Sequence, residues 1–388
     1  MVEELAIRDW IAGRAARQPY ARALLSASAP GALSFRDLQQ HVDDLVERFR
    51  GHGIGRESRV AVALTDGPET LMILLALMSM GAVLPVHPAA AEEPLDALVQ
   101  KLGITAVVGG HRPASAAWRV AEARGLTYIA VETDSAHLGD VELTSWRATR
   151  PQAVTESGLD DIVLYITTSG TTGNSTIVAI TQRSLDRNYA THGRLNGYGP
   201  DTRAICVMPF TYLFAYVRSS LPILRCGGSL VVAPGYRFTD MRRWCDTLKP
   251  TCMAATPTIL KKFTADSRSA GWRPQAGVLD RFHATGEAIP DDLRASLLET
   301  FWARLGTNYG KTEASPQIAT VQPDDDLEPG AVGRVVAPWQ VEIIDEAGVV
   351  QPTGSTGRIT LRGGHVNAIV GMTRETRFDA EGRFLTGD

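Results

Sequence analysis

The chain has 388 residues, of which 44% are hydrophobic and 21% are charged, and its formal net charge is −4. This length predicts roughly two to three compact units. The composition excludes a disordered, collagen-like or coiled-coil chain, and the lack of a basic excess argues against a nucleic-acid partner. The four cysteines show no CxxC spacing, which indicates neither a zinc ribbon nor a disulfide framework. We therefore expect a cytoplasmic protein.

Short β-branched segments alternate with helical patterns through most of the chain. The longest apolar run, Leu71 to Met80, has ten residues, whereas a membrane span needs about 20, so it is interpreted as a buried helix and no membrane partner is predicted. In chain order, strands are predicted at 59–64, 82–87, 104–110, 161–168, 205–210, 228–234 and 251–257, with helices at 69–80, 94–102, 214–225 and 239–248. This alternation is typical of an α/β fold with mostly parallel sheets.

The pattern changes near residue 325, where glycine and proline begin to interrupt short alternating strands. We predict a first α/β lobe over 1–160, a second over 161–325, and a small β-barrel-like lobe over 326–388. The sequence stops on a turn at Gly387 and Asp388, directly after a strand-like segment. A domain seldom ends there, so we expect a truncated chain.

Two glycine-rich segments have the composition of phosphate-binding loops. Thr167 to Thr176 follows a predicted strand and mixes hydroxyls with glycines, which suits either a phosphate loop or an ordinary polar turn. Gly310-Lys311-Thr312 looks like the end of a P-loop, but Gly306 lies one position too close to Gly310 and no clear helix follows. A P-loop kinase or ATPase is therefore not favoured.

Several motifs in order resemble those of the AMP-dependent synthetase and ligase superfamily, the adenylate-forming enzymes. They are MGAVLP at 80–85, TTSGTTG at 167–173, ATGEA at 284–288, YGKTE at 309–313, VGR at 332–334 and TGD at 386–388. The resemblance covers nearly the whole chain. It implies the large N-terminal portion of such an enzyme, with two α/β sheets and a β lobe.

The resemblance also implies a role for each matching residue. Tyr309 would stack on adenine, Thr312 would contact the α-phosphate, Glu313 would hold Mg²⁺, and Asp388 would bind the ribose hydroxyls. Thr312 and Glu313 are thus the candidate catalytic residues. The other implied ATP contacts are Thr168, Ser169, Gly170, Thr171, Thr172, Gly173, Thr176, Gly286, Glu287, Ala288, Asn308 and Gly310.

The sequence departs from the family pattern in three respects. Thr176 stands where the phosphate loop usually has a lysine, and a neutral hydroxyl cannot offset phosphate charge as an ammonium does. Tyr212 stands near the usual histidine of an aromatic gate, so an imidazole is lost. The resemblance also implies a small C-terminal domain with a lysine used in adenylation, and we expect that domain to be missing here. The alternatives are that the chain is cut, that another chain supplies the domain, or that the protein is a degenerate relative, and a cut chain is favoured.

The segments that would line the acid pocket supply phenols and cationic groups. They are Tyr212, Tyr216, Arg218, His283 and Lys311, together with Phe214. A pocket for a long fatty chain would be apolar throughout, so a small polar or aromatic acid is favoured. The alternatives are that Arg218 faces solvent and that His283 is a structural histidine. Glu287 is a candidate partner for Arg218 or for Lys311.

The resulting hypothesis is ATP-dependent activation of an organic acid, using Mg²⁺. An acyl-adenylate would form with release of pyrophosphate, and the acyl group would pass to the thiol of coenzyme A or of a carrier-protein phosphopantetheine. The alternative is a non-catalytic nucleotide-binding or scaffold protein on the same fold. The retained Thr312, Glu313 and Asp388 favour the enzyme.

Overall fold

The chain folds into two large sheets flanked by helices, followed by a small third sheet. The computed structural model describes residues 4–28, 31–111, 115–134, 137–146, 150–152, 156–168, 176–287, 289–314, 317–322, 325, 330–373 and 377–388. The order and direction of the strands in the two large sheets confirm the predicted α/β class with two mostly parallel sheets.

The helices within the described ranges include the four predicted segments and several that sequence reasoning did not identify. They are α1 Ile7–Arg17, α2 Phe35–Gly51, α3 Pro68–Met78, α4 Glu92–Leu102, α5 Ala116–Ala123, α6 Gln182–Leu195, α7 Leu221–Arg225, α8 Phe238–Leu248, α9 Pro257–Ser269 and α10 Asp291–Phe301. A short π-helix, Ala215–Ser220, precedes α7 and occupies the first half of the helix predicted at 214–225.

The first large sheet contains eight strands among the described residues. They are β3 Arg59–Ala63, β4 Ala82–Pro85, β5 Ala106–Gly110, β6 Thr127–Thr133, β7 Val141–Ser145, β8 Ile162–Thr168, β9 Thr176–Thr181 and β19 Ala368–Ile369. Strands β8, β4, β3, β5 and β6 run parallel. At one edge, β9 turns back antiparallel on β8 and is joined in turn by β19.

The second large sheet contains nine strands among the described residues. They are β1 Arg22–Ser26, β2 Ala32–Ser34, β10 Arg203–Cys206, β11 Ser229–Val232, β12 Cys252–Ala255, β13 Arg281–Ala284, β14 Arg304–Tyr309, β15 Ala319–Val321 and β16 Arg334–Val335. Six neighbouring strands of this sheet run parallel to one another, in the spatial order β1, β11, β10, β12, β13, β14. Their carboxyl ends therefore lie at one edge, where ligands of α/β proteins commonly bind.

The small lobe is built on a three-stranded antiparallel sheet. Its strands are β17 Gln340–Ile344, β18 Arg358–Arg362 and β20 Phe384–Leu385. The sheets divide the chain differently from the lobes predicted from the sequence. The N-terminal strands β1 and β2 belong to the second sheet, whereas β8 and β9, which follow residue 160, belong to the first.

Helix α3 is the predicted apolar helix, and it lies in the core that joins both large sheets. Each of its residues from Leu71 to Met78 is at most 1% exposed. Pro68 at its first turn is compatible with helix initiation because the amide that it lacks has no intrahelical acceptor there. Helix α3 has 11 residues, and within the described ranges no helix is long and apolar enough to cross a membrane.

Candidate active site

The predicted motifs meet at the carboxyl ends of β13 and β14. These strands are parallel neighbours, with His283 opposite Gly306 and Ala284 opposite Thr307. The approach is close, because a Cβ atom on Gly306 would lie 2.9 Å from the His283 Nδ1 atom. The turns that follow the two strands, 285–287 and 310–313, therefore lie side by side. The hydroxyl of Thr285 donates to the main-chain oxygen of Asn308 at 2.9 Å.

The chain's last residue lies against the second of these turns. The Tyr309 hydroxyl donates to Asp388 Oδ2 at 2.5 Å, and the Lys311 ammonium lies 3.3 Å from both carboxylate oxygens of Asp388. Burial and the adjacent carboxylate raise the pKa of Tyr309 above its usual range, so the phenol remains a hydrogen-bond donor. The residues predicted to bind adenine and ribose are thus in direct contact.

Lys311 was predicted to approach the acid, with Glu287 as a candidate partner. In the structure, the carboxylate beside Lys311 is that of Asp388. Glu287 is exposed and accepts a hydrogen bond from the Thr258 hydroxyl at 2.8 Å. Lys311 therefore lies at the predicted ribose end of the site, and a role in reading the acid stays a prediction.

Asn367, which sequence reasoning did not identify, holds the middle of the 310–313 turn. Its main-chain amide donates to the Glu313 carbonyl at 2.6 Å, and its Nδ2 donates to the Thr312 carbonyl at 2.9 Å. Asn367 directly precedes β19, so this clamp connects the turn to the edge of the first sheet. It fixes the backbone from which the Thr312 and Glu313 side chains project.

The Glu313 carboxylate, predicted to hold Mg²⁺, is 8% exposed and pairs with an arginine that the sequence did not reveal. The Nη2 atom of Arg377 donates to Glu313 Oε1 at 2.9 Å. Mg²⁺ in nucleotide sites is commonly held by one or two carboxylates together with substrate phosphates. The second oxygen of Glu313 is compatible with that donor set, so the residues present fit a nucleotide-bound Mg²⁺.

The predicted phosphate loop is described only at its two flanks. Thr168 and Thr176 face each other in the β8–β9 pair, and the Thr168 hydroxyl donates to the Thr176 carbonyl at 3.4 Å. Ser169, Gly170, Thr171, Thr172 and Gly173 lie outside the described residues, as does Ala288. Gly286 has a φ of +93°, a conformation that favours glycine, and Gly310 is half-buried.

The segment predicted to wall the acid pocket contains the π-helix. Tyr216 and Arg218 lie on it and are 0% and 1% exposed, whereas Tyr212 is 57% exposed. Phe214 is partly buried against the core. π-Helical turns occur frequently at functional sites. The burial of Arg218 excludes the solvent-facing alternative, whereas Tyr212 projects outward.

Arg218 belongs to a buried polar cluster centred on Asn308, which was predicted to contact ATP. The Oδ1 atom of Asn308 accepts from Arg218 Nε at 3.3 Å and lies 2.8 Å from His283 Nε2. Since the amide oxygen can only accept, His283 must carry its proton on Nε2. Its Nδ1 is buried and has no hydrogen-bond partner among the described residues.

Burial controls the charges in this cluster. Desolvation lowers the pKa of Arg218 to about 9, which leaves the guanidinium charged at neutral pH. Desolvation, together with the Arg218 charge, lowers the pKa of His283 to about 4, so the imidazole is neutral. His192 packs edge-on against His283, with ring centroids 4.8 Å apart, and burial also lowers its pKa. The cluster therefore combines one cation with neutral polar groups.

Asp66 anchors the predicted aromatic gate from the first sheet. Its Oδ1 atom accepts from the Phe210 amide at 3.1 Å, and burial raises the pKa of the Asp66 carboxyl. Sequence reasoning assigned no functional role to Asp66. A partly buried carboxylate that binds a segment 144 residues away leaves no local signal, so sequence reasoning missed this contact.

Comparisons with known proteins agree with this geometry. A sequence profile of the family described as AMP-binding enzyme matches residues 11–368. The chain is 28% identical to sulfoacetate–CoA ligase from Cupriavidus necator, an alignment that covers 97% of this chain and 74% of the relative. It is 24% identical to 3-hydroxybenzoate–CoA/4-hydroxybenzoate–CoA ligase from Thauera aromatica, covering 91% and 68%. The crystal structure of ATP-bound MatB from Rhodopseudomonas palustris superposes with a TM-score of 0.83 at 20% identity, covering 99% and 76%.

Proposed function

The chain belongs to the AMP-binding enzyme family, and from this premise we propose that it activates a small polar or aromatic carboxylic acid with ATP. It is an adenylate-forming ligase. A carboxylate oxygen of the acid forms a bond to the α-phosphorus of ATP. The bond between the α-phosphorus and the oxygen that bridges it to the β-phosphorus breaks, and pyrophosphate leaves. A thiol of coenzyme A or of a carrier protein then takes the acyl group and AMP leaves.

The observation that carries this proposal is the contact among Tyr309, Lys311 and Asp388 at the end of β14. An adenine nucleotide bound here would place its ribose hydroxyls on Asp388, since a carboxylate accepts two hydrogen bonds well. Its phosphates would extend past Thr312 towards Glu313. In that arrangement Tyr309 contacts adenine, and Asn308 and Gly310 support the same turn.

Thr312 and Glu313 are the residues proposed to act on the reacting phosphate. The Asn367 clamp on their carbonyls fixes the turn before the substrate arrives, and preorganised groups lower the barrier because they need not reorient during the reaction. Mg²⁺, when bound, would offset negative charge on the phosphates as pyrophosphate leaves. Glu313 is the residue of the described chain that we assign to hold it.

The acid class is inferred from the buried cluster of Arg218, Asn308 and His283. A charged guanidinium held among neutral polar groups is suited to bind an anionic or strongly polar substituent. The similarity to ligases named for sulfoacetate and for hydroxybenzoates supports this choice, since both acids carry a second polar group. Tyr216 lies on the same π-helix, and the exposed Tyr212 is assigned to the pocket entrance.

The direct test is acid-dependent exchange of pyrophosphate into ATP. The panel contains sulfoacetate, a short dicarboxylate, hydroxybenzoates, unsubstituted benzoate, and short and medium alkyl acids. Because the resemblance places the adenylation lysine in a domain outside this sequence, we expect only slow exchange from this chain, with at least one acid that carries a second polar group, and its loss in Glu313→Gln. ATP binding with no exchange for any acid, even when the lysine-bearing domain is supplied, would instead support the non-catalytic alternative.

A further inference from the structure

Arg377 reaches the predicted catalytic turn from the small lobe. Its Nη2 atom lies 2.9 Å from Glu313 Oε1, and the two side chains are 26% and 10% exposed. No motif of the sequence assigned a role to Arg377. The ion pair places a guanidinium directly beside the carboxylate proposed to face the nucleotide phosphates.

The Arg377 side chain is held in place, but not all of its hydrogen-bond donors have acceptors among the described residues. Its Cζ atom lies 5.5 Å from the centroid of the Phe384 ring, and its main-chain oxygen accepts from the Leu385 amide at 2.9 Å. The Nε atom is buried and has no hydrogen-bond partner in the part of the chain that the structure describes. A planar guanidinium can bind two acceptor oxygens at once. Arg377 therefore has donor capacity beyond its contact with Glu313.

The segment from Asn367 to Val370, which precedes Arg377, connects the 310–313 turn with the strand that follows the predicted phosphate loop. Asn367 contacts Glu313, and β19 then runs along β9 with Ile369 opposite Val178. The Val370 amide donates to the Ile177 carbonyl at 2.9 Å. This segment thus extends from the 310–313 turn to the first residues of β9, where the predicted loop ends at Thr176.

We propose that Arg377 is a phosphate-binding residue of the nucleotide site. It would supply a positive charge on the side where Thr176 replaces the lysine expected from the family pattern. In the free protein the guanidinium pairs with Glu313, and in the complex its remaining donors bind a phosphate oxygen. The inference rests on the proposed function, because it requires a nucleotide at the 310–313 turn.

Mg²⁺ should modulate the contribution of Arg377. Without metal, removing the guanidinium leaves the Glu313 carboxylate beside the phosphates, and like charges repel. With metal bound, the carboxylate charge is offset, and the loss caused by the same substitution should be smaller. A residue that only supports the fold of the turn would show no such dependence on metal.

The test is calorimetric titration of the whole chain with adenosine, AMP and ATP, in EDTA and in saturating Mg²⁺. In EDTA, Arg377→Met should weaken AMP and ATP by about tenfold, the scale of one charge-assisted hydrogen bond, and leave adenosine within about twofold. The affinities of Arg377→Lys for AMP and ATP should lie between those of the wild type and those of Arg377→Met. Arg358→Met is the matched control, because Arg358 is a small-lobe arginine whose Nη2 contacts only the carbonyls of Asp345 and Glu346 among its described hydrogen bonds.

Each outcome decides the matter. Parallel losses for adenosine and ATP, with a lower melting temperature, would assign Arg377 a structural role and overturn the inference. Unchanged affinities for all three ligands would also overturn it. If the wild-type chain bound none of the three ligands, the proposed nucleotide site itself would fail, which is a distinguishable result.

Discussion

At the scale of single side chains, two cations are proposed to decide which acid and which nucleotide groups this protein recognises. Arg218 is a buried cation that donates to Asn308, and Lys311 is a half-buried cation beside Asp388. The sequence alone could not separate the two as readers of the acid. Their different partners now predict different effects of substitution. Arg218 lies within the cluster proposed to read the acid, whereas Lys311 lies beside the proposed ribose site.

Arg218→Met should shift acid preference from acids with a second polar group towards plain aryl or short alkyl acids by about 2 kcal/mol, the scale of one charged hydrogen bond. Because Lys311 lies beside Asp388, we expect Lys311→Met to change AMP affinity and, contrary to its role predicted from the sequence, to leave the acid profile as it is. The measurement is kcat/KM in pyrophosphate exchange across the panel, with thermal unfolding as a check on folding. An unchanged profile in a folded Arg218→Met protein would refute the assignment of Arg218.

His283 should make the protein less stable in mild acid. Its pKa is about 4 in the folded chain and about 6.5 when unfolded, so between these values only the unfolded state takes up the proton. Its stabilising contribution is full above pH 6.5 and falls as the pH drops towards 4. From pH 7 to pH 5 the loss is about 2 kcal/mol.

Urea unfolding of the wild type and of His283→Gln at the two pH values measures this effect. The wild type should lose about 2 kcal/mol more than the variant. His192 remains in both proteins, so the difference reports on His283 together with its effect on the pKa of His192. Equal losses in the two proteins would mean that His283 is protonated in the folded chain.

At the scale of elements, a clamp from the strand edge holds the 310–313 turn that is proposed to be catalytic. Asn367 fixes the carbonyls of Thr312 and Glu313 although it lies more than 50 residues later in the chain. The π-helix at Ala215–Ser220 likewise directs Arg218 inward, towards Asn308 on β14. Both arrangements position side chains that would otherwise have several orientations.

Asn367→Ala removes the hydrogen bond to the Thr312 carbonyl and should lower the free energy of unfolding by about 1–2 kcal/mol. It should also weaken AMP about fivefold, because the turn must then be ordered on binding. Asn196→Ala is a matched control, since its side-chain amide also donates to a main-chain carbonyl, that of His192. A similar loss of stability without weaker AMP binding is expected there, and equal AMP affinities in the two variants would contradict the role of the clamp.

The sequence predicted the apolar helix α3 and most central strands correctly because their burial is visible as hydrophobic runs. It missed β1 and β2 as members of the second sheet, since strand pairing across 200 residues leaves no local pattern. In the candidate site, motifs led to predicted roles for Tyr309, Glu313 and Asp388, and the structure brings Tyr309 and Asp388 into contact. Asn367, Arg377 and Asp66 were missed because each acts through a contact with a distant segment.

At the scale of the whole molecule, three parts of the chain converge on the proposed nucleotide site. The second sheet supplies the 309–313 turn, the first sheet supplies Asn367 through the strand edge at β19, and the small lobe supplies Arg377 and Asp388. The account as a whole requires that this convergence recognise the ribose of an adenine nucleotide. Asp388 is the residue through which that requirement is most directly measured.

The decisive measurement is therefore calorimetric titration of the wild type and of Asp388→Asn with AMP and with 2′,3′-dideoxy-AMP. If Asp388 accepts hydrogen bonds from the ribose hydroxyls, the wild type should bind AMP at least about tenfold more tightly than the dideoxy analogue. Asp388→Asn should lose most of that difference while still binding the analogue. Equal affinities of the wild type for both ligands, or a difference that persists in Asp388→Asn, would contradict a nucleotide bound between the 309–313 turn and Asp388.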